Sequence, residues 1–165
     1  MKRILFLMLA ILIVCGTVAC QKREEATRFA DLSIRGTVLT LGAEAPAVLA
    51  ALGEYRAVAE TGSCYGDGLD RVYEYDSFKV KTYTDKDKEY ILSVEIFSDA
   101  DASIATPEGV AIGASRESVE TLYDAAHEAS DAKLVYLRAS DNVKLQFLIR
   151  DGKVTNIQYL KAENN

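Results

Sequence analysis

The chain has 165 residues, which is enough for one domain of ordinary size with a buried core. Its 25 acidic residues outnumber 19 Lys and Arg residues, and the formal net charge is −6. This acidity argues against nucleic acid as a partner and against electrostatic docking on anionic lipid, because both are negatively charged. A single histidine excludes metal sites built from several histidines. We predict neither a metal nor a small-molecule cofactor.

The first 20 residues have the pattern of an export signal. Lys2 and Arg3 precede an unbroken apolar run over residues 4–14, and small residues then lead to Cys20. A basic start, a short apolar region and a small-residue exit are typical of signal peptides. The run is shorter than the roughly 20 apolar residues that span a bilayer. We therefore predict that residues 1–19 are a signal peptide.

The end of this segment, Val18-Ala19-Cys20, resembles the lipobox of bacterial lipoproteins. The resemblance implies that Cys20 receives a diacylglyceryl group and becomes the mature N-terminus. Cys15 fits the pattern poorly because bulky Val14 precedes it, and Thr17 stands where leucine is usual. Two or more acyl chains hold a protein stably at a bilayer. We expect a lipid anchor at the outer face of the cytoplasmic membrane; a secretory signal or an uncleaved anchor is the alternative.

Cys64 is the one thiol that remains if Cys15 is removed and Cys20 is acylated. An exported protein with one thiol has no internal disulfide. We expect Cys64 to be a buried, unreactive packing residue. The alternative is a reactive thiol or an intermolecular disulfide.

The stretch after the signal is predicted as a lipidated tether over residues 20–32, because it is mostly polar and has no periodicity. Residues 33–41 alternate loosely and indicate a strand or extended lead-in. Pro46 suits a helix start and Gly53 suits a helix stop. These two residues predict a short helix over residues 46–52.

The middle of the chain reads as a three-stranded antiparallel meander. A glycine-rich loop covers residues 61–70. Alternating apolar residues then predict strands at 71–75, 78–83 and 90–97, separated by a tight turn and a charged hairpin loop.

The last third repeats this order. Ser115 is a good N-cap for a second helix. The apolar face of that helix is predicted to contain Val119, Leu122, Tyr123 and Ala126, with His127 on the surface near its end. Strands are predicted at 134–138, 143–150 and 154–160, and Asp151-Gly152 is a strong hairpin signal between the last two.

Matching positions suggest an internal duplication. Gly42 and Gly113, and likewise Val48 and Val119, are 71 residues apart. We predict an α+β domain over residues 33–165 made of two repeats, 33–100 and 104–162, each a helix plus a three-stranded antiparallel meander. Common α+β topology without duplication is the alternative.

This order of elements after a lipid-modified cysteine resembles the BamE/SmpA and beta-lactamase-inhibitor-protein (BLIP-like) architecture. That resemblance implies topology only, and the outer-membrane assembly role of BamE does not carry over. The stretches Ser-Cys-Tyr-Gly-Asp-Gly-Leu-Asp at 63–70, residues 98–110, and Phe-Leu-Ile-Arg-Asp-Gly-Lys-Val at 147–154 resemble uncharacterised lipoproteins of Gram-positive bacteria. The second resemblance implies no known activity.

The candidate binding surface lies in the loop and first strand of the meander. Its residues are Tyr65, Asp67, Asp70, Tyr73 and Tyr75. Tyrosines supply contact area and a polar tip, which suits a binding surface. The alternative is that the tyrosines pack the sheet and that the aspartates are turn residues.

We predict that the protein is not an enzyme and has no catalytic residues. The leading hypothesis is a membrane-anchored, surface-exposed lipoprotein that acts as a non-catalytic binding module. Its partner would be an envelope protein or a cell-wall component. The alternatives are a cell-envelope hydrolase that uses carboxylates near Asp67 and Asp70, and a purely structural lipoprotein.

Overall fold

A computed structural model describes residues 29–63 and 68–161 of the chain. The predicted signal peptide, Cys20 and most of the predicted tether lie outside the described residues, as do Cys64, Tyr65 and Asp67. Within the two described ranges, no helix is both long and apolar enough to cross a membrane.

The described chain is α+β and dominated by strands. The helices are α1 (Ala45–Leu52) and α2 (Arg116–Leu122). The strands are β1 (Leu32–Ile34), β2 (Thr37–Leu39), β3 (Ala57–Gly62), β4 (Leu69–Glu74), β5 (Phe78–Asp85), β6 (Lys88–Ile96), β7 (Glu128–Ser130), β8 (Lys133–Arg138), β9 (Val143–Arg150) and β10 (Lys153–Lys161).

Eight of the strands form one antiparallel sheet in the order β3-β4-β5-β6-β10-β9-β8-β7. The predicted units of a helix plus three strands are wrong, because four strands follow each helix. The two additional strands, β3 and β7, form the outer edges of the sheet and are exposed along their whole length. A strand that buries neither face carries no alternating apolar pattern, so neither β3 nor β7 is predicted from the sequence.

The two halves of the sheet join through their last strands. Within the β6–β10 pair, Val94 lies opposite Tyr159 and Ile96 lies opposite Ile157. All four side chains are buried. The hydrophobic core is therefore continuous across this seam, on the face of the sheet that we call the inner face.

The two helices are attached to the sheet in the same way. Gly42 donates a backbone hydrogen bond to Ile91 at 2.7 Å, and Gly113 donates one to Val154 at 2.8 Å. Both glycines have φ near +87°, a conformation that costs a glycine little. These contacts fit the predicted spacing of 71 residues, although the repeat boundaries stay predictions.

The predicted tether is too long at its C-terminal end. Phe29 is buried and packs edge-to-face on Tyr159, with ring centroids 6.1 Å apart. Arg138 donates a hydrogen bond to the Phe29 carbonyl at 2.7 Å. Leu32 is buried as well and begins β1. Residues 33–41, predicted as one strand or extended segment, contain a turn. Arg35 and Gly36 have positive φ and connect β1 to β2 as an antiparallel hairpin.

The first helix and the N-cap of the second agree with prediction, but the end of the second does not. The Ser115 hydroxyl accepts a hydrogen bond from Ser118 N at 3.1 Å. The helix ends at Leu122, whose side chain is 48 % exposed, so its predicted place on the apolar face is wrong. Ala126 and His127 lie beyond the helix, and His127 N donates to the Val135 carbonyl beside β7.

Candidate binding groove

A groove lies on the inner face between α1 and the β3–β4 edge. The helix packs against β2 and β6, so the inner face of β3 and β4 extends past it. Two adjoining clefts of about 540 and 560 Å³ occupy this space. Together we call them the edge groove. Its helix side is lined by Pro46, Leu49 and Ala50.

Aromatic side chains form one end of the edge groove. The Tyr55 ring packs edge-to-face on Tyr73, with centroids 5.1 Å apart, and on Tyr75 at 6.5 Å. Tyr55 is 46 % exposed, whereas Tyr73 and Tyr75 are buried. Tyr75 also stacks on Phe78 at 4.3 Å. The two buried rings pack against Tyr55, and nearly half of its surface is left to solvent.

A polar cluster forms the floor. Glu89 accepts hydrogen bonds from the Tyr73 hydroxyl at 3.0 Å and from the Thr82 hydroxyl. The Arg71 guanidinium lies 3.6 Å from the same Glu89 oxygen and donates to Glu60 at 2.7 Å. Cross-strand pairing of β4, β5 and β6 brings these distant residues together.

The cluster alters the proton affinity of two of its members. Burial, reinforced by the hydrogen bond to Glu89, raises the pKa of the Tyr73 hydroxyl to about 12. The hydrogen bond to Glu60 raises the pKa of Arg71 above its usual value. The floor is therefore a set of hydrogen bonds and ion pairs that these side chains make with one another.

The second half of the sheet has apolar residues at the corresponding place. Arg71 pairs with Thr82 across β4 and β5, and Leu134 pairs with Phe147 across β8 and β9. Leu134 and Phe147 are wholly buried, and the rings of Tyr123 and Tyr136 pack around Phe147. In the second half, apolar residues fill this position of the sheet, so packing does not require polar ones there. The polar floor distinguishes the first half.

Exposed apolar side chains concentrate at the same corner. Five large hydrophobic side chains stand out as exposed among the described residues, and Tyr55, Val58 and Leu69 are three of them. Val58 pairs with Tyr73, and Leu69 pairs with Gly62, so both belong to the β3–β4 edge. The Arg71–Glu60 ion pair lies between Leu69 and Tyr73 on this face, so Leu69 is separated from Tyr55 and Val58.

The structure separates the residues of the predicted binding surface. Tyr65 and Asp67 lie outside the described ranges. Tyr75 is 2 % exposed, so it packs the sheet and cannot contribute to a surface. Tyr73 forms part of the groove floor. Asp70 is also buried, and it lies on the other face of the sheet with Lys81, at 3.0 Å.

Sequence reasoning missed most of the groove. Tyr55 precedes β3, which the sequence does not predict, and Glu89 lies in the predicted charged hairpin loop, which the structure shows as part of β6. Thr82 offered a signal, because it is a polar residue on the strand face that also carries Phe78 and Val80.

The described residues hold no group of three or more His, Cys, Asp or Glu side chains that could bind a metal ion. One oxygen of Asp70, Oδ1, is buried without a hydrogen-bond partner, but neither cleft of the groove includes this residue. The cleft beside Tyr55 thus offers mainly apolar contacts, whereas the adjoining cleft is lined mostly by charged and polar side chains.

Comparisons of the chain with protein-family models, with curated proteins and with solved structures give no match.

Proposed function

We propose that the chain is a lipid-anchored, non-catalytic binding module at the outer face of the cytoplasmic membrane, and that its edge groove binds another protein of the envelope. The observation that carries this proposal is the exposed Tyr55 ring in an open groove, with exposed Val58 on the adjoining edge strand. Tyrosine is enriched at protein-binding sites and among the residues that contribute most to binding.

The charge of the groove supports a partner with a basic residue. The cleft beside Tyr55 is lined by two carboxylates, Glu54 and Glu89, and by no basic side chain. Glu89 is held by the polar floor, whereas Glu54 is exposed and has no ion-pair partner among the described residues. A basic residue beside Glu54 would complement this end of the groove.

The anchor and the repeat architecture remain parts of the proposal. The lipobox-like Val18-Ala19-Cys20 supports anchoring at Cys20. The order of one helix and then antiparallel strands, followed twice along the chain, supports a BamE- and BLIP-like tandem arrangement, here with a fourth strand in each unit.

The hydrolase alternative is less well supported. Asp70 pairs with Lys81 and is buried away from the groove, so substrate could not reach its carboxylate without rearrangement. Asp67 lies outside the described residues.

The test is co-purification of the lipidated protein with its partner from its own envelope. Tyr55→Ser should abolish recovery of the partner, since it removes the exposed ring at the groove. Leu122→Ser is a matched control, because Leu122 is equally exposed but lies on α2. Equal recovery with both variants would contradict the proposed groove.

A further inference from the structure

The edge strand β3 has backbone groups that face away from the rest of the sheet. Ser63 N donates to the Gly68 carbonyl at 3.1 Å, which makes 63–68 a hydrogen-bonded pair of the β3–β4 hairpin. Such pairs alternate along an antiparallel ladder. The N–H and C=O groups of residues 57, 59 and 61 therefore face β4, and those of Val58, Glu60 and Gly62 point outward.

Among the described residues, this edge has no proline, lysine or bulge to block strand addition, and it has one inward-facing charge, Glu60. Natural edges are shortened, bulged, or marked with proline or lysine. The sequence of β3 is Ala-Val-Ala-Glu-Thr-Gly, six residues in unbroken register with β4. Its only charge, Glu60, is held by Arg71 at 2.7 Å. The opposite edge of the sheet, β7, has three residues.

The side chains beside this edge are suited to an extended chain. Val58 and Glu60 share the inner face with Tyr73 and Arg71, their partners in β4. Among the described residues, no atom lies within 4 Å of the position where Gly62 would carry a Cβ, so the inner face is open at this end of β3. An added strand would place alternate side chains over the inner face, toward Tyr55 and the edge groove.

We propose that β3 takes up one extended segment of a partner protein as a ninth strand, with apolar residues at alternate positions and a basic residue at one end. This deepens the proposed function, since it names how the groove would hold its partner. The basic residue is inferred from Glu54, the uncompensated carboxylate near the start of β3.

A second copy of this chain fits the edge poorly. Each copy has a formal net charge of −6, so two copies repel each other, and antiparallel pairing of two β3 strands centred on Glu60 would place two carboxylates opposite each other. Like charges that face each other across a strand pair destabilise it.

The probe is a synthetic peptide of alternating Val and Thr with a lysine at each end, measured by fluorescence polarisation against the full chain. We expect one-to-one binding. Val58→Pro should weaken it at least tenfold, because proline removes an outward N–H and leaves the bonds to β4 intact. Val58→Ala, which keeps that N–H, should weaken binding less than threefold. Equal effects of the two variants would overturn the proposal.

Two further measurements keep the proposal falsifiable if Val58→Pro fails to fold. A peptide methylated on alternate backbone nitrogens should not bind the wild-type chain, and the lysine peptide should slow amide exchange at Glu60 and Gly62. Binding of the methylated peptide, or equally tight binding of a peptide with terminal glutamates, would overturn it. So would a wild-type dimer that Val58→Pro dissociates.

The outcome for strand addition is separable from the outcome for the proposed function. If Tyr55→Ser abolishes recovery of the envelope partner and a folded Val58→Pro does not, the groove binds its partner without strand addition. If neither variant affects recovery, the groove itself is not the binding site.

Discussion

Leu145→Ala tests whether the two halves of the sheet unfold as one body. Leu145 is wholly buried and pairs with Tyr159 in β10 and with Tyr136 in β8. Val94 lies on the other side of Tyr159, in β6. Val94, Tyr159, Leu145 and Tyr136 therefore form one row of paired residues that crosses the junction of β6 and β10. A cavity at Val94 or at Leu145 weakens the same core.

The expected loss can be estimated from burial. Truncation of a buried leucine costs about 2–5 kcal/mol, against a total stability of about 5–15 kcal/mol for a typical domain. At about 3 °C per kcal/mol, Leu145→Ala should lower the melting temperature by roughly 6–15 °C. Val94→Ala removes two methyl groups, each worth about 0.8 kcal/mol before the cavity is counted, so its shift should be smaller.

The measurement is thermal unfolding followed by far-ultraviolet circular dichroism and by calorimetry. Both variants should show a single transition at a lower temperature than the wild type. Lys144→Ala is the matched control, because Lys144 precedes Leu145 but faces away from the core and should change stability by less than about 0.5 kcal/mol. Two separate transitions, of which Leu145→Ala moves only one, would refute a continuous core.

Other predictions concern the anchor, a helix cap, alkaline stability and the remaining thiol. Cys20→Ala should leave an unprocessed precursor and abolish labelling by a fatty-acid probe, and labelling that moves to Cys15 would contradict the assignment. Ser115→Ala should cost about 0.5–2 kcal/mol in denaturant unfolding through loss of the N-cap, and an unchanged midpoint would argue against that cap. The pKa values of Tyr73 and Tyr136 are raised to about 12, above the unfolded value near 10, so stability should be complete below pH 10 and fall as pH rises toward 12. A flat stability profile over that range would contradict the burial of these hydroxyls. The Cys64 thiol should react slowly in the native protein and quickly after denaturation, and Cys64→Ser should destabilise the domain modestly; rapid native modification would favour a reactive thiol.

Elements with one buried and one open face could be predicted from the sequence. The alternation in β5, β6, β9 and β10 gives each strand, and the turn at Asp151-Gly152 gives the last hairpin. Burial of Val94 and Leu145 is confirmed for the same reason. Short signals such as Pro46 and Ser115 fixed the helix starts to within a residue.

Elements defined only by their position in the sheet could not be predicted. β3 and β7 bury no face, so no apolar period reveals them. Phe29 and Leu32 are apolar residues in a polar stretch, and their burial depends on distant partners such as Tyr159 and Arg138.

The edge groove depends on the same long-range pairing. Tyr73 and Glu89 are 16 residues apart in sequence, and only the β4-β5-β6 register brings their side chains to a hydrogen bond. The predicted surface includes both Tyr73 and Asp70. These two residues of β4 lie on opposite faces of the sheet, and only Tyr73 lies in the edge groove. The exposed ring in the groove belongs to Tyr55, which lies between α1 and β3 and outside every predicted strand.

The most direct test of the proposed binding module is photocrosslinking in the native envelope. A benzophenone amino acid at position 55, in the lipidated chain, should give a covalent adduct with one envelope protein. The same amino acid at position 122, which is as exposed on α2, should give none. An adduct of equal yield from both positions, or from position 122 alone, would contradict a binding site at the edge groove.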